Sequence, residues 1–233
     1  MKIGILTHFH KSVNYGGVLQ AYALCTYLNA QGHSAQQILY TAQHKKLDPS
    51  AHAPRNIFQI ISKRIRRKLN KDKNIKIKNR MESLFKDFRD QIPHTVIEYN
   101  KDTIVNADRG FDVVLVGSDQ VWNPAWFDSS YMLDFVDKSI PKISYSASMG
   151  VSTLSQEQKA VYKKYLADFK KISVRERECA EALCDVLEKP VSVCVDPTLL
   201  LSVNQWDEIV SERIIKDEYV FLYMLGDDIK VRK

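Results

Sequence analysis

The chain has 233 residues, 45% hydrophobic and 27% charged, with a formal net charge of +6 at pH 7. These fractions sit near the globular average and exclude whole-chain disorder, while eight Gly and seven Pro exclude collagen-like and linker-like chains. No stretch approaches the roughly 18 apolar residues of a membrane helix, and the N-terminal run Ile3 to Leu6 is too short for a signal-peptide core. The chain therefore reads as soluble and cytoplasmic. Its cysteines, Cys25, Cys179, Cys184 and Cys194, show no CxxC pair and no zinc-ligand spacing with histidine. Reduced, mostly buried thiols and no metal are expected.

In chain order, Lys2 to Thr7 reads as a short buried strand, His8 to Gly17 as a loop and Val18 to Ala30 as a helix stopped by Gly32. Ala35 to Tyr40 follows as a second strand, and this order opens a parallel α/β sheet. A basic block then interrupts it. From Lys45 to Gln91 there are 15 Lys/Arg against 5 Asp/Glu, so the rest of the chain is net acidic. Ile57, Ile61, Ile65 and Leu69, then Met81, Leu84, Phe85, Phe88 and Ile92, recur at helical spacing. Two cationic amphipathic helices fit, joined by the polar stretch Asn70 to Lys78. Such a pair is a solvated surface, or a face for anionic substrate or anionic lipid. Nucleic acid is disfavoured, since aromatic interleaving is sparse and no nucleic-acid motif is present.

The sheet pattern then resumes. Phe111 to Val116 is a continuous apolar run ended by Gly117, the signature of a strand covered on both faces. Lys142 to Ser148, Lys171 to Val174 and Val191 to Val195 are further strands. Ser155 to Phe169, with Ser155 and Gln158 placed for a capping box, and Arg175 to Leu187 are helices. Trp206 to Ile215 reads as a helix and Glu218 to Leu225 as a strand. The domain expectation is a Rossmann-like domain over 1–201 with a basic helical insertion at about 45–92. A linker helix at 202–217 and the start of a truncated second domain at 218–233 complete it.

Four segments carry candidate chemistry. Asn14-Tyr15-Gly16-Gly17 follows the first strand, where a glycine pair lets backbone N–H groups approach an anion; a plain tight turn is the alternative. Ser118-Asp119-Gln120, with Asn123 close behind, follows the central strand and groups donors and acceptors suited to sugar hydroxyls, although Asp119 could instead cap a helix. Arg175, in Ser173-Val174-Arg175-Glu176, sits at a strand-to-helix junction, where a guanidinium can grip a carboxylate or phosphate. The alternative is a surface Arg–Glu pair. Asp196-Pro197-Thr198 is, alone, only a turn.

Taken together, MKIGILTHFHKSVNYGGVLQAYAL, FDVVLVGSDQVWNP, ISYSASMG, ISVRERE and VDPTLLL resemble the polysaccharide pyruvyl transferase family from Met1 almost to the end. The resemblance implies a fold similar to the N-terminal domain of a two-domain GT-B-like transferase. It implies transfer of a pyruvyl group from phosphoenolpyruvate to a sugar of a surface polysaccharide precursor, forming a ketal and releasing phosphate. No cofactor is implied beyond phosphoenolpyruvate as donor. Arg175 is expected to bind the donor; Asn14, Tyr15, Gly16, Gly17, Ser118, Asp119, Gln120 and Asn123 are expected to line the substrate cleft. The family's general-acid histidine would fall beyond Lys233, so the chain reads as incomplete, and neither His8 nor His10 matches that acid. The acceptor would be a sugar or lipid-linked glycan, met by a protein peripheral to the inner face of the membrane. The alternatives are a non-catalytic sugar- or donor-binding half, or a GT-B glycosyltransferase using a nucleotide sugar.

Overall fold

The computed structural model describes residues 1–43 and 71–222. One compact unit spans Met1–Leu201 and a second begins at Ser202.

The first unit is an α/β, Rossmann-like domain. Strands β1 (Lys2–Leu6), β2 (Ser34–Tyr40), β3 (His94–Tyr99), β4 (Val113–Gly117) and β5 (Lys142–Tyr145) form an all-parallel sheet in the order β3-β2-β1-β4-β5. Bridges from Ile143 to Lys171 and from Ala147 to Val174 carry the pairing on to β6 (Ser173–Val174), which pairs in parallel with β7 (Ser192–Val193). The chain thus runs outward from β1 through β2 to β3, then returns beside β1 as β4. Between β1 and β4 the winding reverses, and in such sheets ligands bind outside the carboxyl ends of the strands at that point.

Alternation along the central strands divides the core into two layers. On one face Ile3, Ile5, Val113 and Leu115 pack with Val18, Ala21, Leu24 and Cys25 of helix α1 (Tyr15–Ala30) and with Phe85 of α2 (Lys71–Arg89). On the other, Leu6, Val114 and Val116 pack with Trp122 and with Tyr162, Leu166, Cys179 and Leu183 of α3 (Gln156–Leu166) and α4 (Arg177–Leu187). All five residues of β4 are buried, as its unbroken apolar run requires. Ser155 and Gln158 form the capping box of α3.

Several expectations are corrected. Helix α1 starts at Tyr15, with Asn14 as its cap, so the glycine pair lies in the first turn and not in the loop. Residues 71–78 are the start of α2 and not a joint, because no Gly or Pro interrupts Lys71 to Ile92. The other expected basic helix, Ile57 to Leu69, lies outside the described residues. Strand β3 was not expected. It is an edge strand with Val96 and Ile97 turned to solvent, which erases the two-residue period. Strand β5 stops at Tyr145, where Ser146 adopts φ 53° and turns the chain.

In the second unit the expected helix from Trp206 to Ile215 is replaced by α5 (Val203–Asp207), capped by Ser202 and Gln205. Residues 218–222 form no strand and are exposed, and 223–225 lie outside the described residues.

Candidate active-site crevice

The carboxyl ends of β1 and β4 deliver two loops to the same place. After β1 the chain passes His8 and reaches Asn14, whose Oδ1 accepts a bond from the Gly17 N–H at 3.4 Å and so caps α1. The helix start presses on the β1 loop: a Cβ on Gly17 would stand 2.9 Å from the His8 carbonyl oxygen and 3.3 Å from Asp119 Oδ2. Only glycine permits that approach. After β4, Asp119 occupies the left-handed region at φ 68°, which a non-glycine residue enters only when its surroundings enforce it. Its Oδ1 accepts from the Gln120 N–H at 2.8 Å, and its Oδ2 lies 3.8 Å from His8 Nδ1. Burial works to raise the Asp119 pKa, but the His8 and Gln120 contacts outweigh it and the net shift is downward.

Two adjoining cavities open at this edge. The larger, about 640 Å³, is bordered by His8, His10, Asn14, Asp119, Gln120 and Trp126. The smaller, about 280 Å³, is bordered by Asn14, Gly16, Gly17, Asp119, Arg175 and Asp196. Asn14 and Asp119 belong to both and form the wall between them. On the rim of the larger one, Glu98 lies 3.2 Å from His10 Nε2 and accepts from Thr41 Oγ1 at 2.8 Å and from Lys11. The Lys11 bond, then the Thr41 bond, hold the Glu98 pKa down at about 2, while burial lowers that of His10.

Arg175 follows β6 directly. Its Nε donates to Glu176 Oε1 at 3.0 Å and its Nη1 to Asp196 Oδ2 at 3.1 Å. Burial opposes its charge, but the two carboxylates outweigh that and raise its pKa, so it stays cationic.

Of the residues singled out in the sequence, Asn14, Gly16, Gly17, Asp119, Gln120 and Arg175 thus meet around the crevice. Three do not line it. Tyr15 turns to the other side of α1, where its ring lies 4.8 Å from that of Phe85. Ser118 is fully buried, donating to Asp196 Oδ2 at 2.7 Å. Asn123 is also buried: its amide donates to Gln120 Oε1 and its carbonyl caps the turn at Ala125. The sequence marked Asp196 only as part of a turn and gave it no place in the site, since an Asp-Pro turn carries no sign of the arginine it meets. Among the described residues no group of three or more His, Cys, Asp or Glu could hold a metal ion, and no helix is long and apolar enough to cross a membrane.

The parallel sheet, with a polar, arginine-bearing crevice at its topological switch point, is that of an α/β protein of the Rossmann-like class. A family model for polysaccharide pyruvyl transferase matches residues 14–232, nearly the whole chain, and the chain belongs to that family. No curated protein matches it.

Proposed function

We propose that the protein transfers a pyruvyl group from phosphoenolpyruvate to a sugar of a surface polysaccharide precursor, forming a ketal and releasing phosphate. The observation that carries this reading, beside the family, is the pair of cavities divided by Asn14 and Asp119. The larger is roomy enough for a sugar ring, and its wall of Asn14, Asp119 and Gln120 offers the mixed donors and acceptors that hydroxyls need. The smaller holds Arg175 beside the first turn of α1, where the helix dipole and N–H groups favour an anion. The turn itself carries no acidic residue, and the carboxylate that stands against it from outside is that of Asp119. Arg175 uses two of the five donors of a guanidinium on Glu176 and Asp196, so a donor carboxylate or phosphate would share the group with them. The acceptor is a sugar or lipid-linked glycan, and the basic block from Lys45 to Gln91 suits an anionic membrane surface.

Phosphoenolpyruvate titrated into the full chain should bind. Arg175→Ala should weaken donor binding about tenfold, roughly 1.4 kcal/mol for a lost charge-assisted pair. Failure of the wild-type chain to bind phosphoenolpyruvate at millimolar concentration would sink the reading.

A further inference from the structure

Three segments far apart in sequence end on one carboxylate. Oδ1 of Asp196 accepts from the Thr198 N–H at 3.0 Å and the Thr198 hydroxyl at 2.8 Å. Its Oδ2 accepts from the Ser118 hydroxyl at 2.7 Å and from Arg175 Nη1 at 3.1 Å. A carboxylate offers about four lone-pair sites, and four donors meet them. A group so saturated is poorly placed to take a proton from a substrate or to bind a sugar hydroxyl. It is well placed to hold something else still.

We infer that Asp196 is a positioning residue, fixing the Arg175 guanidinium over the crevice so that the donor meets a preset cation. The inference rests on the reading of Arg175 as a donor ligand. Ser118 is fully buried and directly follows β4, so its bond ties Asp196 to the end of a strand that is buried throughout. Thr198 ties it to its own turn. Arg175 is thereby anchored to two strand ends besides its own, and the rotamer freedom that a long side chain loses on binding is lost beforehand. Glu176, the other partner, is the next residue in the chain and its side chain is 37% exposed, so it adds charge without a cross-link.

The test is a double-mutant cycle read by calorimetric titration of phosphoenolpyruvate into the full chain. Asp196→Asn and Arg175→Ala should each raise the dissociation constant about tenfold, and the double variant should bind no more weakly than Arg175→Ala alone. Tighter binding by Asp196→Asn overturns the inference, because Asp196 would then compete with the donor for Arg175, and unchanged binding overturns it because Arg175 would then need no positioning by Asp196. Additive losses also overturn it, because Asp196 would then act through some other group. Should Asp196→Asn fail to fold, Ser118→Ala removes one donor from Oδ2. It should weaken binding about threefold, and not at all when Arg175 is already Ala. Absence of binding by the wild-type chain overturns this inference and the proposed function together; binding by the wild type that Asp196→Asn leaves intact overturns this inference alone.

Discussion

Gly16 and Gly17 are neighbours in the first turn of α1, yet a methyl group would meet different surroundings at each. On Gly17 it would meet a backbone oxygen at 2.9 Å, which cannot move without the end of β1; on Gly16 it would meet only Asn14 Oδ1, at 3.4 Å. Gly17→Ala should therefore destabilise by about 1–3 kcal/mol, the usual cost of overpacking. Gly16→Ala should be neutral or stabilising, since alanine is favoured over glycine inside a helix by roughly 0.5–1 kcal/mol. Thermal unfolding separates the two, and equal shifts would contradict the close approach. Acid sensitivity follows from the rim of the larger cavity. Burial lowers the pKa of His10 from its ordinary 6.5, so its share of stability is present above 6.5 and is lost as pH falls below it. Glu98 is lowered from 4.5 to about 2, so its share is present above 4.5 and is lost between 4.5 and 2. Glu98 is half-exposed, which limits the effect to below about 1 kcal/mol. Urea midpoints at several pH values should show Glu98→Gln flattening the lower part of the acid slope. An unaltered slope would mean that the Lys11 and Thr41 bonds do not persist in solution.

At the level of elements, α2 has one exposed side and one buried side. Arg80, Met81 and Leu84 are exposed, Leu84 at 61%, while Phe85 seals the core beneath. The cationic stretch from Lys45 to Gln91 should bring the protein to anionic vesicles, with binding that weakens steeply with salt, as exposed charges are screened over about 8 Å at physiological ionic strength. Equal pelleting with neutral and anionic vesicles would dismiss the idea. This scale also shows what the sequence can and cannot announce. Strands β1, β2 and β4 were legible because each buries apolar residues in both layers of the core. Strand β3 was not, because Val96 and Ile97 point outward on an edge, where burial no longer orders the pattern. The start of α1 was misplaced because the glycines looked like a loop, whereas Asn14 caps the helix ahead of them. The pairing of Ser118, Arg175 and Asp196 was illegible for another reason. It joins residues up to 78 positions apart, and nothing local to a Ser or to an Asp-Pro turn records its partner.

For the molecule as a whole, the decisive arrangement is the reversal of winding between β1 and β4. It brings the loop after the first strand and the loop after the fourth, more than a hundred residues apart, to one edge of the sheet. The family resemblance and this topology point to the same place by independent routes, one through motif order and the other through strand order. The same edge carries its own optical reporter. Of the three tryptophans, Trp122 is fully buried, its indole N–H bonded to the Tyr131 carbonyl at 2.9 Å, and Trp206 belongs to the second unit. Trp126 is 39% exposed, borders the larger cavity, and donates from Nε1 to the Gln120 carbonyl at 3.3 Å. A glycan seated in that cavity would dry the indole and shift its emission to shorter wavelength, while Trp122 stayed silent until the domain unfolded. Trp126→Phe should abolish the ligand-dependent change and keep the unfolding signal. One chromophore thus reads occupancy and another reads integrity, in the same cuvette and without any added label.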